Sequence, residues 1–294
     1  MVHHLKLAVD ANAALGEGPF WDHKENVLYW VDINNKKICM YNPADNENKE
    51  LELPEKVSAV IPVNSGKGAI AALENGFHYV DLTNGEIQPI FDPEEHLSNN
   101  RFNDGKCDAQ GRFWAGTMST KDEMEQGALY CLDKDGGTIT KKLDKLSTSN
   151  GLAWSLDNKY LYLIDTPVQK VYRFDYEVHS GNIDNSVAII DFSNEEGFPD
   201  GMTIDEEGML WIAHWGGARV SRWNPHSGEK IDEIKVPAQN VTSCVFGGEE
   251  LNELYITTAQ EGMTSEELEK YPLSGALFTC KMDIKGLPGN YYGG

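Results

Sequence analysis

Asp205-Glu206-Glu207-Gly208-Met209-Leu210-Trp211 reads as a turn that opens directly into a short strand with an aromatic centre. The same pattern returns along the chain. It stands as Asp22-His23-Lys24-Glu25-Asn26-Val27-Leu28-Tyr29-Trp30 and as Asp108-Ala109-Gln110-Gly111-Arg112-Phe113-Trp114. Two further copies are Leu156-Asp157-Asn158-Lys159-Tyr160-Leu161-Tyr162 and Gly248-Glu249-Glu250-Leu251-Asn252-Glu253-Leu254-Tyr255, and a weaker one is Asn64-Ser65-Gly66-Lys67-Gly68-Ala69-Ile70. The anchors Tyr29, Ile70, Trp114, Tyr162, Trp211 and Tyr255 are spaced by 41, 44, 48, 49 and 44 residues. Most are followed by a second strand that ends in a turn, as in Lys37-Ile38-Cys39-Met40-Tyr41-Asn42-Pro43 and Arg219-Val220-Ser221-Arg222-Trp223-Asn224-Pro225. Short strands between Gly, Asp and Asn turns are the mark of hairpins. Six units of 40–50 residues match the blades of a β-propeller.

The six units use nearly all of the 294 residues. The expectation is therefore an all-β, six-bladed β-propeller formed as one domain over 1–294. The segment Thr264–Lys270 is expected as a helical turn or two within a loop. Composition agrees: 28 Gly, 12 Pro, 7 Trp and 12 Tyr favour turns and aromatic-rich strands.

Twenty-five basic against 47 acidic side chains give a net charge of −22. Such a surface repels phosphate backbones and anionic membranes, so neither nucleic acid nor membrane is expected as a partner. No apolar run reaches the ~20 residues that span a bilayer. The N-terminus has no apolar signal-peptide core. The five cysteines are scattered, without a CxxC pair, which fits reduced thiols and a cytoplasmic location. A monomer or weak dimer is expected.

The repeat also points to a site. Stepping back 11 or 12 residues from the anchors reaches Glu17, Ser58, Asn103, Asn150, Asp200 and Ser243. Equivalent positions in successive blades form a ring about the axis. Four of the six bear oxygen-donor side chains: two carboxylates and two carboxamides, a set suited to a hard divalent cation. Gly follows Glu17, Asn150 and Asp200 directly and Asn103 one residue later. Asn-Gly and Asp-Gly are also ordinary hairpin turns, but turn chemistry does not select Glu17, and four in phase exceed what turns alone explain. The ring holds no His or Cys, which argues against structural zinc. No GxSxG, HExxH, GxxxxGK[ST] or GxGxxG occurs. His214 ends the strand of the Asp200 unit and is expected to face the axis as a substrate contact; Trp21 and Trp215 are candidates for the pocket mouth.

Leu15-Gly16-Glu17-Gly18-Pro19, Arg101-Phe102-Asn103-Asp104-Gly105-Lys106, Ser149-Asn150-Gly151-Leu152-Ala153 and Pro199-Asp200-Gly201-Met202 resemble the SMP-30/gluconolactonase/LRE family, regucalcin-like proteins, from about residue 13 to about 285. The resemblance implies a six-bladed propeller with one divalent metal (calcium, zinc, manganese or magnesium) in a central metal-binding tunnel, and hydrolysis of sugar lactones. It implies that Glu17, Asn150 and Asp200 are metal ligands and that Arg101 and Asn103 contact the substrate. Asp200 is the expected general base. Animal members have a Glu in the loop after Gly-Thr-Met, whereas here Gly116-Thr117-Met118-Ser119-Thr120 leads to Lys121. That departure predicts an altered choice among sugars, with Asp122, Glu123 or Glu125 as substitutes. Two rival readings are a broader metal-dependent esterase or phosphotriesterase and a non-catalytic calcium-binding propeller.

Overall fold

In four of the six repeats, at Asp22, Asp108, Asp157 and Asp205, the opening turn is built around a carboxylate. Asp205 Oδ1 accepts from the backbone N–H groups of Glu207 and Met209, both at 3.0 Å, while Oδ2 accepts from Trp211 Nε1 at 2.9 Å. Asp108 does the same for Gln110, Arg112 and Trp114. One side chain thus closes the turn and fixes the indole that anchors the following strand. Position four of this turn is left-handed. Gly208 holds it with φ +80°, where a Cβ would be strained.

The computed structural model describes residues 3–293 apart from 65 and 67. Met1, Val2 and Gly294, and the Ser65 and Lys67 of the weakest repeat, lie outside the described residues. The described residues form six four-stranded antiparallel sheets, the blades of a β-propeller. Their first strands are Gly16–Asp22, Val57–Pro62, Asn100–Cys107, Ser149–Trp154, Phe198–Ile204 and Asn240–Gly247. Each packs against the first strands of both neighbouring blades, so the six form a closed inner ring.

Blades pack face to face through apolar clusters, as twisted sheets must. Trp21 stacks on Tyr255 between the first and last blades, with ring centroids 5.6 Å apart. Trp114, Trp154 and Tyr176 meet edge to face between the third and fourth.

Two features go beyond the repeat pattern. The sixth blade, Asn240–Gly247, Glu253–Ala259 and Leu277–Lys281, takes its outer strand from the other end of the chain. Leu5–Val9 pairs antiparallel with Leu277–Lys281, Leu5 opposite Cys280 and Leu7 opposite Phe278. Second, every first strand carries a register shift at its ring position: Glu17/Phe20, Val57/Ala59, Phe102/Gly105, Asn150/Leu152, Pro199/Met202 and Val241/Ser243. The in-phase glycines mark these bulges rather than hairpin turns, because a bulge turns one residue out of the ladder. The helix Ser265–Lys270 forms where expected, closed by a capping box between Thr264 and Glu267.

Candidate functional site

A bulge breaks the period-2 alternation of a strand and aims a side chain that would otherwise lie between blades. Glu17, Asn103, Asn150 and Asp200 all sit at the inner-strand bulges and all line one cavity of about 500 Å³. The cavity opens at the end of the propeller where the first strands begin. Much of its remaining wall comes from the loops at that same end, those joining second to third strands and fourth to first strands, including Asn34, Lys56, Asp122 and Glu261, and from Trp215 at the end of a second strand.

Glu17, Asn150 and Asp200 come from blades one, four and five. Asn150 Nδ2 donates to Asp200 Oδ1 at 2.5 Å and to Thr166 Oγ1 at 3.1 Å. Thr166 in turn donates to Pro199 O at 2.9 Å. The backbone N–H of Gly18 donates to Glu17 Oε2 at 2.8 Å. The strands crowd here: a Cβ on Gly151 would lie 2.7 Å from Asp200 O. Burial pushes the Glu17 carboxyl up to about 8, and the Asp104 carboxylate adds to the rise. Burial also drives Asp200 well above the usual carboxylate range, with Glu17 adding to it. Two nearly buried carboxylates, both driven up by burial and one also by the other's charge, are a poor arrangement for the bare protein. With the carboxamide oxygen of Asn150 they form a hard-oxygen donor set that fits a divalent cation.

Arg101 and Asn103 come from blade three, beside the blade that carries Asn150. Arg101 Nη1 donates to Phe102 O at 2.7 Å and to Asn103 Oδ1 at 3.0 Å, and Asn103 Nδ2 donates to Ser149 O at 3.0 Å. Arg101 lines the cavity and forms no ion pair among the described residues. Behind the ring lie Asp104, which burial shifts upward, and Lys106, which burial shifts downward and whose Nζ donates to Met202 O at 2.7 Å.

Three sequence expectations are corrected. His214 does not reach the cavity. It is fully buried between strands, with Nε2 2.6 Å from Ser221 Oγ and Nδ1 3.0 Å from Glu196 O. Its neighbour Trp215 lines the cavity instead, because successive strand residues face opposite ways. Trp21 lies in the core at the opposite end of the same strand that presents Glu17. Lys121 is exposed and off the cavity wall, while Asp122 is on it.

Asn34, Lys56 and Glu261 were not anticipated. Asn34 and Glu261 sit in loops joining second to third strands and Lys56 in one joining a fourth strand to the next first strand, where the anchor spacing gives no phase. The usable signal was topological: the loops after each second strand share the end of the propeller at which the first strands begin.

Fold and site together define a β-propeller with an acidic, oxygen-lined pocket at one end of its inner ring. The chain belongs to the SMP-30/gluconolactonase/LRE-like family, whose model matches residues 15–260. It is 40% identical over 280 residues to YvrE of Bacillus subtilis, a protein named for a sugar lactone lactonase activity, covering 95% of each chain. It is 39% identical to regucalcin of Gallus gallus, covering 93% of each. Among solved structures it matches the calcium-binding protein regucalcin from Agrobacterium tumefaciens with a TM-score of 0.94 and 27% identity, over 99% of this chain and 97% of that one. No helix among the described residues is long and apolar enough to cross a membrane.

Proposed function

We propose that the protein is a divalent-metal-dependent lactonase that opens sugar lactones to aldonic acids. The observation that carries this reading is the meeting in one cavity of two buried carboxylates, a carboxamide and a guanidinium. Relatives named for sugar lactone lactonase and for calcium binding support it.

Glu17, Asn150 and Asp200 would hold the metal, whether calcium, zinc, manganese or magnesium. A divalent cation there supplies Lewis-acid polarisation of an ester carbonyl and stabilises the negative charge that develops on its oxygen. Arg101 offers planar N–H donors to a ring hydroxyl or the acyl oxygen. Asn103, pinned between Arg101 and Ser149 O, presents a fixed amide to the same ligand. Asp200 orients the attacking water and accepts its proton. Water adds to the acyl carbon, the ring C–O bond breaks, and the departing alcohol oxygen takes the proton. The free, buried cysteines fit a reducing compartment such as the cytoplasm.

The test is calorimetric metal titration and lactone hydrolysis by Glu17→Ala and Asp200→Ala, with the fold followed by far-UV circular dichroism. Each should lose more than the 10–100-fold in metal affinity and activity seen on removing outer-shell groups, with an unchanged spectrum. Near wild-type activity in both would overturn the assignment. Metal binding without turnover of any lactone would favour a calcium-binding propeller instead.

A further inference from the structure

Trp215 and Glu261 are shared walls. They line the cavity just described and also an open groove of about 400 Å³ beside it. The groove continues over Phe198, Met263, Gln239 and Asn240, with three glycines in its floor. Phe198 opens the first strand of blade five, two residues before Asp200, and pairs in register with Trp215. It is 44% exposed, an unusual position for a Phe beside a polar pocket.

The rim is held in place by the fold. The backbone N–H of Glu261 donates to Ala14 O at 2.9 Å, and Asn240 Nδ2 donates to Glu261 O at 2.9 Å. Gln239 Nε2 donates to Glu267 Oε1 at 3.2 Å, which ties the groove to the capped helix. Such a groove is formed before any ligand arrives. Its chemistry is mixed: two aromatic rings and a thioether together with two carboxamides and one carboxylate. A pyranose matches this, since its C–H face is apolar and its hydroxyls both donate and accept. The only charged lining residue is acidic, so an anionic arm is disfavoured.

We infer that the groove is a second sugar subsite, and that the preferred substrate is the lactone of a glycosylated aldonic acid. The lactone ring lies at Arg101 and Asp200 and the glycosyl unit lies across Trp215 onto Phe198. This inference rests on the lactonase reading and specifies its substrate class.

The test compares kcat/KM of the metal-replete protein on gluconolactone, on its 4-O-glucosyl derivatives cellobionolactone and maltobionolactone, and on δ-decalactone, whose arm is aliphatic. At least one glucosyl lactone should exceed gluconolactone by about tenfold or more. Phe198→Ala and Met263→Ala, on separate segments, should each remove most of that gain while leaving gluconolactone within twofold. Equal rates on gluconolactone and both glucosyl lactones, or a gain unaffected by both substitutions, would overturn the subsite while leaving the lactonase reading intact. A gain confined to δ-decalactone would overturn it in favour of an acyl-chain groove. Failure to open any lactone would overturn both readings.

Discussion

Single residues set which sugar atoms the cavity can meet. Lys121 occupies the position where the resemblance leads one to expect a carboxylate, yet it points away, and Asp122, with φ +55°, supplies an acid to the cavity wall. Lys121→Glu should therefore leave the ratio of kcat/KM between a pentonolactone and a hexonolactone within twofold. Asp122→Asn keeps the shape but exchanges an acceptor-only group for one that also donates. It should shift that ratio by about fivefold or more; the reverse ranking of the two variants would place Lys121 in the pocket after all. The four ring residues could be read from the sequence because the repeat carries them in phase. His214 could not, since which way a side chain turns from a strand end depends on a single-residue offset that the period leaves open. Asp122 lay among three neighbouring acids, and only the backbone of the loop separates them.

At the level of strands and turns, two glycines distinguish two kinds of constraint. Gly208 meets no atom closer than 3.6 Å at its missing Cβ, so Gly208→Ala should cost only the left-handed backbone, about 1–2 kcal/mol. Activity per folded molecule should not change. At Gly151 the backbone is ordinary but the added methyl would strike Asp200 O and the side chains of Ile164 and Met202. Gly151→Ala should lower stability further and also weaken metal binding, because it displaces a ligand strand; denaturant titration and calorimetry on both variants separate the cases. The elements themselves were legible, as turn carboxylates recur in four of the six repeats and aromatic anchors in five. The bulges were not. A Gly after Asn or Asp looks the same whether it closes a hairpin or turns a residue out of a ladder, and only the pairing register distinguishes the two.

For the molecule as a whole, the ring depends on its closure. Removing residues 1–10 deletes the outer strand of blade six and exposes Leu277–Lys281 as an unpaired edge. The melting temperature should fall by more than about 5 °C, and an unchanged value would show that the strand is dispensable. The five thiols report on the same integrity. All are buried, and burial pushes Cys131 and Cys244 up to about 12 and raises Cys39, Cys107 and Cys280. Ellman's reagent should find no thiol in the native protein within minutes and five in denaturant; a fast-reacting native thiol would contradict this packing. The count of six blades was readable from anchor spacing, but the origin of the last strand was not, because Leu5–Val9 has no turn-and-anchor signature and its partner is some 270 residues away.

That separation also orders events during synthesis. Leu5–Val9 is made before every other strand of the six blades and can pair only after Leu277–Lys281, some 270 residues later, has emerged from the ribosome. Five blades can assemble in sequence as they emerge, each from contacts within some 50 residues, while the sixth waits. Until then the growing chain is an open arc with adhesive edges, and the carboxylates of Glu17 and Asp200 face each other only once that arc has closed.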